Sequence, residues 1–267
     1  MDLELRGKRV LVTGASKGIG FAIARSFARE GAGLFLAARN AERLAAAAGQ
    51  LEREAGAPVA TLAIDVAAAD ATDRLLAFAG EIDVLINNAG AIPGGSLEQI
   101  DDARWRESWE LKLYGYINLT RRVLPRMAAR GSGVIANIIG MAGVAPRWEY
   151  ICGSTANAAL IAFTQAVGAA SQRDGVRVFG INPSPTRSDR MLGLLQQQAQ
   201  QKLGDADRWP ELAASLPFGR LTEPEEIADL AVFCCSPRAG YLTGTVLNVD
   251  GGQMFANPKQ SAAQAEK

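Results

Sequence analysis

The chain has 267 residues, enough for one α/β domain with a large core, and its 28 basic and 28 acidic side chains balance. That balance gives no basis for attraction to nucleic acid or to a membrane surface. The absence of histidine removes His-based acid–base catalysis, Ser-His-Asp triads and His-ligated metals, so no metal site is expected. The three cysteines, Cys152, Cys234 and Cys235, supply no disulfide framework, which fits a reducing cytoplasm. No apolar run is long enough to span a bilayer, and Met1-Asp2-Leu3-Glu4 does not open a signal peptide.

In chain order, the apolar run Val10-Leu11-Val12 predicts a strand buried on both faces. It breaks at Thr13-Gly14-Ala15-Ser16-Lys17-Gly18-Ile19-Gly20 and resumes with Phe21, Ile23, Ala24 and Phe27, mostly at helical spacing. Strand, glycine turn and helix form a phosphate cradle: a tight turn at Gly14, close backbone approach at Gly18, and helix-to-strand packing at Gly20. The helix start adds free N–H groups and a positive dipole end. A strand over 34–38 follows, ending at Arg39-Asn40, then an alanine-rich helix, a strand over 59–66, a helix over 69–80 and a strand over 82–86 that runs into Asn87-Asn88-Ala89-Gly90. A long helical region covers 101–130. A strand over 133–139 leads to a loop and a helix ending near Arg173; a strand over 176–181 leads to Asn182-Pro183-Ser184-Pro185. A polar helical insert runs from 188 to about 216, before a helix over 224–235 and a last strand over 245–249. Strict β-α alternation predicts a single-domain, doubly wound parallel sheet over 1–255, with ligands at the carboxyl ends of the strands. The tail 256–267 is expected to be frayed and flexible.

Thr13-Gly14-xxx-Gly18-Ile19-Gly20, Asp65-Val66, Asn87-Asn88-Ala89-Gly90, Asn182-Pro183 and Val249-Asp250-Gly251-Gly252, in that order and spacing, resemble the short-chain dehydrogenase/reductase family over nearly the whole chain. The resemblance implies a Rossmann-type fold, a nicotinamide cofactor, a small-molecule substrate and a homotetramer or homodimer. It places the cofactor on Gly14, Ser16, Lys17, Gly18, Ile19, Gly20, Asp65, Val66, Asn88, Ala89, Gly90, Pro183, Ser184 and Ser188, with Asp65 accepting from the adenine amino group. Ser184 stands where the family has a glycine beside the nicotinamide, and Ser188-Asp189-Arg190 resembles a segment that touches the cofactor. A ribose 2′-OH prefers a carboxylate at the end of the second strand, whereas a 2′-phosphate prefers cations. That position holds Ala38, followed by Arg39, with Lys17 in the first turn. NADP(H) is the expected cofactor.

The family's reaction uses a tyrosine as general acid/base, a lysine that lowers its pKa, a serine that polarises the carbonyl and an asparagine that holds a water. Asn137-Ile138-Ile139-Gly140-Met141-Ala142-Gly143 resembles N-I-S-S-x-x-G, which puts the serine at Gly140. Asn157-Ala158-Ala159-Leu160 resembles the K-A-A-L that ends Y-x-x-x-K, which puts the lysine at Asn157 and the tyrosine at Gly153. Trp109 to Gly115 resembles V-N-L-x-G, which puts the asparagine at Lys112. All four positions are therefore substituted.

Two readings follow. In one, catalysis is rebuilt: Lys112 keeps a cation near the nicotinamide, Tyr150 or Tyr114 supplies the phenol, Ser154 or Thr155 a hydroxyl, and Asn157 completes the group. In the other, the protein is a catalytically silent binder of NADP(H) or of a ligand in a pocket widened by the two glycines. A non-redox lyase or isomerase is a third possibility. Among these residues Tyr150 also reads as a packed aromatic, and Lys112 as a partner of Glu107 or Glu110 on a helix face. Cys152 lacks an activating base and reads as a buried filler, as does Cys234-Cys235. Met191, Leu192, Leu194 and Leu195 in the insert point to a substrate with an apolar portion.

Overall fold

The computed structural model describes residues 1–56 and 58–256. The tail expected to fray lies, apart from its first residue, outside them. Seven strands form one sheet: β1 (Arg9–Thr13), β2 (Gly33–Ala38), β3 (Val59–Ala63), β4 (Val84–Asn87), β5 (Gly133–Ile138), β6 (Val176–Pro183) and β7 (Val246–Val249). Their spatial order is β3-β2-β1-β4-β5-β6-β7, and every pairing is parallel. This is the expected single-domain, Rossmann-type sheet. The strand order reverses between β1 and β4, so the turn after Thr13 and the turn after Asn87 stand side by side at one edge of a crevice.

The continuous apolar strands have a direct cause. Val10 and Val12 belong to the core on one face of the sheet, with Ile23 and Phe27 of α1 (Gly18–Arg29) and Ile227 and Ala231 of α9 (Pro224–Cys235). Leu11, between them, belongs to the core on the other face, with Leu75 of α3 (Ala71–Ala79) and Leu119 and Val123 of α5 (Gly115–Arg130). Successive side chains of a strand point to opposite faces, so a sheet covered on both sides needs apolar residues at every position. The alanine-rich helix is α2 (Ala41–Ala55), whose start is capped by Asn40 Oδ1 accepting from Arg43 N at 2.8 Å.

Most expected boundaries shift by one or two residues, and three regions differ further. The strand expected over 59–66 stops at Ala63, because Asp65 turns the chain: its Oδ1 accepts from Ala67 N at 3.0 Å and its carbonyl from Ala68 N at 3.1 Å. The region 101–130 is not one regular helix. It is α4 (Asp102–Trp109), a wide π turn (Glu110–Tyr114) closed by Gly115 N donating to Glu110 O, and then α5. Such turns shift the angular position of the side chains they carry, and this one carries Lys112. The insert is α7 (Asp189–Leu203) followed by the short α8 (Trp209–Ala213).

A buried polar chain ties the helices around the crevice to the sheet. Asn87 Nδ2 on β4 donates to Thr120 Oγ1 on α5 at 3.3 Å and to Asn137 Oδ1 on β5 at 2.9 Å. Asn137 Nδ2 in turn donates to Thr164 Oγ1 at 2.9 Å, on α6 (Ile151–Ser171). Asn87 Oδ1 is left buried without a partner, so the chain is held by its three donated bonds, and displacing a member would leave further buried groups unpaired.

Candidate active site

The glycine turn is built as a cradle. Gly14 has φ +67°, and a Cβ there would lie 2.9 Å from Asn88 Nδ2. At Gly20 a Cβ would lie 2.4 Å from both Gly14 O and Asn88 Nδ2, so α1 packs on the turn only without one. Gly18, with φ +58°, faces open space, with nothing within 4 Å of an added Cβ. The residue before the helix, Lys17, makes no side-chain cap. An uncapped helix start beside an open glycine suits a phosphate group. Asn88 and Thr13 hold the two turns together. Asn88 Nδ2 donates to Thr13 O at 2.9 Å, while Thr13 Oγ1 accepts from Asn88 N at 3.0 Å and Ala89 N at 3.1 Å. Thr13 was not among the expected site residues, although its place at the strand end marks it.

Arg39 is exposed at the end of β2, beyond the buried Ala38. Lys17 pairs with Asp189 of α7 at 3.1 Å across the mouth of the crevice, with both side chains largely exposed. Ser188 Oγ caps α7 by accepting from Met191 N at 3.2 Å, and Ser184 Oγ lies 2.5 Å from Thr222 Oγ1. Asp65 and Gly90 are exposed, Val66 and Ala89 are buried, and Ser16, Ile19 and Pro183 are partly buried around the same strand ends.

Lys112 is turned inward by the π turn. Its Nζ donates to Ile138 O at 3.0 Å and to Ile139 O at 2.9 Å, where β5 ends beside Gly140. Its stem runs against Gly90, where a Cβ would lie 2.5 Å from Lys112 Cδ. The ring of Tyr116, one turn along, lies 5.3 Å from the ammonium, and its hydroxyl donates to Ile138 O at 2.9 Å. Lys112 is therefore no partner of Glu107 or Glu110. An ammonium has three N–H donors, and the two carbonyls leave one uncommitted. Burial of the ammonium, with the Arg190 charge as a smaller cause, pushes its pKa down to about 8.

This shift has a consequence for stability. The folded state gives up the Lys112 proton near pH 8, whereas the unfolded chain keeps it to about 10.4. Between those values the unfolded state binds more protons, so this residue's contribution makes stability rise with pH. Urea midpoints for wild type and Lys112→Met, compared at pH 7.5 and pH 10, will show a gain with pH in wild type that the variant lacks.

At the two glycines in the expected serine and tyrosine positions, a neighbouring side chain stands where a Cβ would be. Gly140 has φ +143° and ψ 145°, a conformation for which side chains are poorly suited, and a Cβ there would lie 2.9 Å from Asn157 Nδ2. At Gly153 a Cβ would lie 2.1 Å from both Cε1 and Cζ of Tyr150, and 2.6 Å from its hydroxyl. Asn157 thus reaches into the place of a side chain at 140, and the Tyr150 ring lies across the place of one at 153. The widened pocket expected from these glycines does not form. Asn157 Oδ1 is buried without a hydrogen-bond partner. Tyr150, just before α6, packs with Ile92, Ile100, Cys152 and Ala156. Burial raises its pKa, and the Arg190 guanidinium beside the phenol works against that rise.

A family model described as short chain dehydrogenase matches residues 8–199. The chain belongs to the short-chain dehydrogenase family. It is 32% identical over 259 residues to 3-oxoacyl-(acyl-carrier-protein) reductase FabG of Chlamydia muridarum, covering 94% of this chain and 99% of that one. It is 34% identical over 256 residues to 2-keto-3-deoxy-L-fuconate dehydrogenase of Xanthomonas campestris, covering 94% and 81%. Among solved structures, L-sorbose reductase from Gluconobacter frateurii, complexed with NADPH and L-sorbose, superposes with a TM-score of 0.90 at 33% identity, covering 96% of this chain and all of that one.

Within this family member, not every expected side chain joins the group. Ser154 is buried, but its hydroxyl is committed to the loop before α6, accepting from Arg147 N at 3.0 Å. Thr155 Oγ1 bonds back to Ile151 O at 2.9 Å on its own helix. Tyr114 is 43% exposed at the surface, because the π turn that brings Lys112 in carries its neighbour out. Cys152 is buried, with its thiol pKa raised by that burial, as a filler requires. The group that does assemble is Lys112, Tyr150 and Asn157, joined by two residues the sequence did not single out for this role, Tyr116 and Arg190. Arg190 Nη2 donates to Ile92 O on the loop after β4.

Proposed function

We propose that this chain is an NADP(H)-dependent oxidoreductase that interconverts a carbonyl and an alcohol with a proton donor other than the family's usual tyrosine. In this reading the family's serine, tyrosine, lysine and asparagine positions are Gly140, Gly153, Asn157 and Lys112. The observation that carries it is replacement in place: Asn157 and Tyr150 occupy the paths of the side chains missing at 140 and 153. The open Gly18, the uncapped α1 and the exposed Arg39 fit a pyrophosphate and a 2′-phosphate, and L-sorbose reductase, one-third identical, is solved with NADPH.

NADPH, when bound, supplies a hydride to the carbonyl carbon. Lys112 Nζ, held by two carbonyls and with a pKa near 8, gives its third proton to the developing alkoxide and takes one back in oxidation. Asn157 Nδ2 donates to the same oxygen, the part a serine hydroxyl would play at 140. Tyr150 stays protonated, because burial raises its pKa, and serves as a fixed hydrogen-bond donor. The acid is thus the lysine, with the phenol beside it. α7 and α8 cover the substrate, and the chain works as a homodimer or homotetramer in the cytoplasm.

The test is a titration with NADPH and NADH that follows nicotinamide fluorescence, then a panel of ketones and aldehydes. NADPH binds selectively, and Arg39→Ala weakens it about tenfold or more, as expected for a lost charge-assisted contact, without changing NADH binding. Equal affinity for both cofactors, unaffected by Arg39→Ala, would remove the 2′-phosphate role; no binding of either would remove the redox reading.

A further inference from the structure

We propose that the substrate is an anionic carbonyl compound, an oxo acid with an apolar chain, whose carboxylate is held by Arg190. This rests on the redox reading above and names the substrate class of that site. The loop after β4 brings two cations together: Gly90 lies under the Lys112 stem, and two residues on, Ile92 O accepts from Arg190 Nη2. Tyr150 packs against that same Ile92, with the guanidinium beside its phenol.

Among the described residues, neither Lys112 nor Arg190 forms an ion pair. The nearest acid in sequence, Asp189, is engaged by Lys17. Two cations on one cleft wall, with apolar neighbours and no carboxylate between them, focus a positive potential there. Such a wall repels cationic ligands and recruits an anion. A guanidinium offers five N–H donors in a flat fork that matches a carboxylate, and the Ile92 carbonyl fixes that fork in place.

The helix that carries Arg190 supplies the rest of the ligand's character. Leu194, one turn further on the same face, is 39% exposed. Met191, Leu192 and Leu195 are only partly buried, and none of the four belongs to a core cluster. A cation followed by apolar side chains reads as a head-and-tail site: carboxylate at Arg190, chain along α7, and the oxo group toward Lys112.

Octanoate and octanamide, which share a chain and differ in charge, are the probes. Each is titrated into the full chain, with and without NADP⁺, following the fluorescence of Trp105 and Trp109, which border the Tyr150 cluster. Octanoate binds about tenfold tighter or more, Arg190→Met removes the difference, and Arg190→Lys keeps part of it. Equal binding of the two, failure of both to bind, or an octanoate affinity untouched by Arg190→Met would overturn the proposal. Turnover separates it from the reading beneath. Reduction of 3-oxooctanoate in preference to octan-2-one, with Arg190→Met raising KM more than it lowers kcat, supports both. Equal reduction of the two by wild type and variant retires Arg190 and keeps the redox function. Arg190-dependent octanoate binding with no reduction of any carbonyl retires the redox function and the substrate assignment, leaving an anion site.

Discussion

Lys112→Met lowers carbonyl reduction by about 10²–10⁴-fold, the range of a lost general acid, while NADPH still binds. Methionine keeps the length and apolar stem that pack against Gly90, so the variant removes the proton rather than the shape. Ile138 O retains the Tyr116 hydroxyl as a partner, which limits the structural cost. The pH dependence gives the sharper readout. Reduction needs the protonated ammonium, so in wild type it falls as pH rises through about 8. Oxidation of the alcohol needs the free amine and rises through the same value. Lys112→Arg keeps a cation that does not titrate in this range, so its reduction profile loses the limb near 8. A wild-type limb that survives in Lys112→Arg assigns the proton to another group.

Placing a tyrosine at position 153, where the resemblance puts the family's, does harm. Gly153→Tyr places a Cβ 2.1 Å from the Tyr150 ring, and overpacking of a filled site costs about 1–3 kcal/mol. The variant is expected to melt several degrees below wild type and to lose activity rather than gain it. Tyr150→Ala combined with Gly153→Tyr removes the colliding ring and recovers the lost stability. Thermal melts of the two variants decide the matter: a single substitution as stable as wild type would mean that the Tyr150 ring does not lie across that space. The coupling between the two sites is the measured quantity, since residues in direct contact depart from additivity.

Much of the molecule was legible in the chain itself. Val10-Leu11-Val12 had to be buried on both faces, because no polar side chain interrupts the run, and its residues do divide between the two cores. Gly14, Gly18 and Gly20 between a strand and a helix announced the turn, since close approach and positive φ are backbone needs that few other residues meet. The four positions that the resemblance assigns to the family's catalytic residues were read from their flanks. Their consequence was not. Two glycines in sequence read as lost volume, whereas in space that volume is taken by Asn157 and Tyr150.

The alternation of apolar and helical segments, the glycine turn and the lack of histidine were determined by sequence alone, because each depends on local spacing or on residue type. Tertiary structure alone decided where Lys112 points. A π turn of five residues rotates it inward and Tyr114 outward, and no periodic pattern distinguishes that turn from a regular helix. Arg190 is the same kind of case. It meets Ile92, 98 positions earlier, and Tyr150, because the sheet order sets the loop after β4 beneath α7. Chain-distant cations converge on one wall only when the strands have been laid side by side.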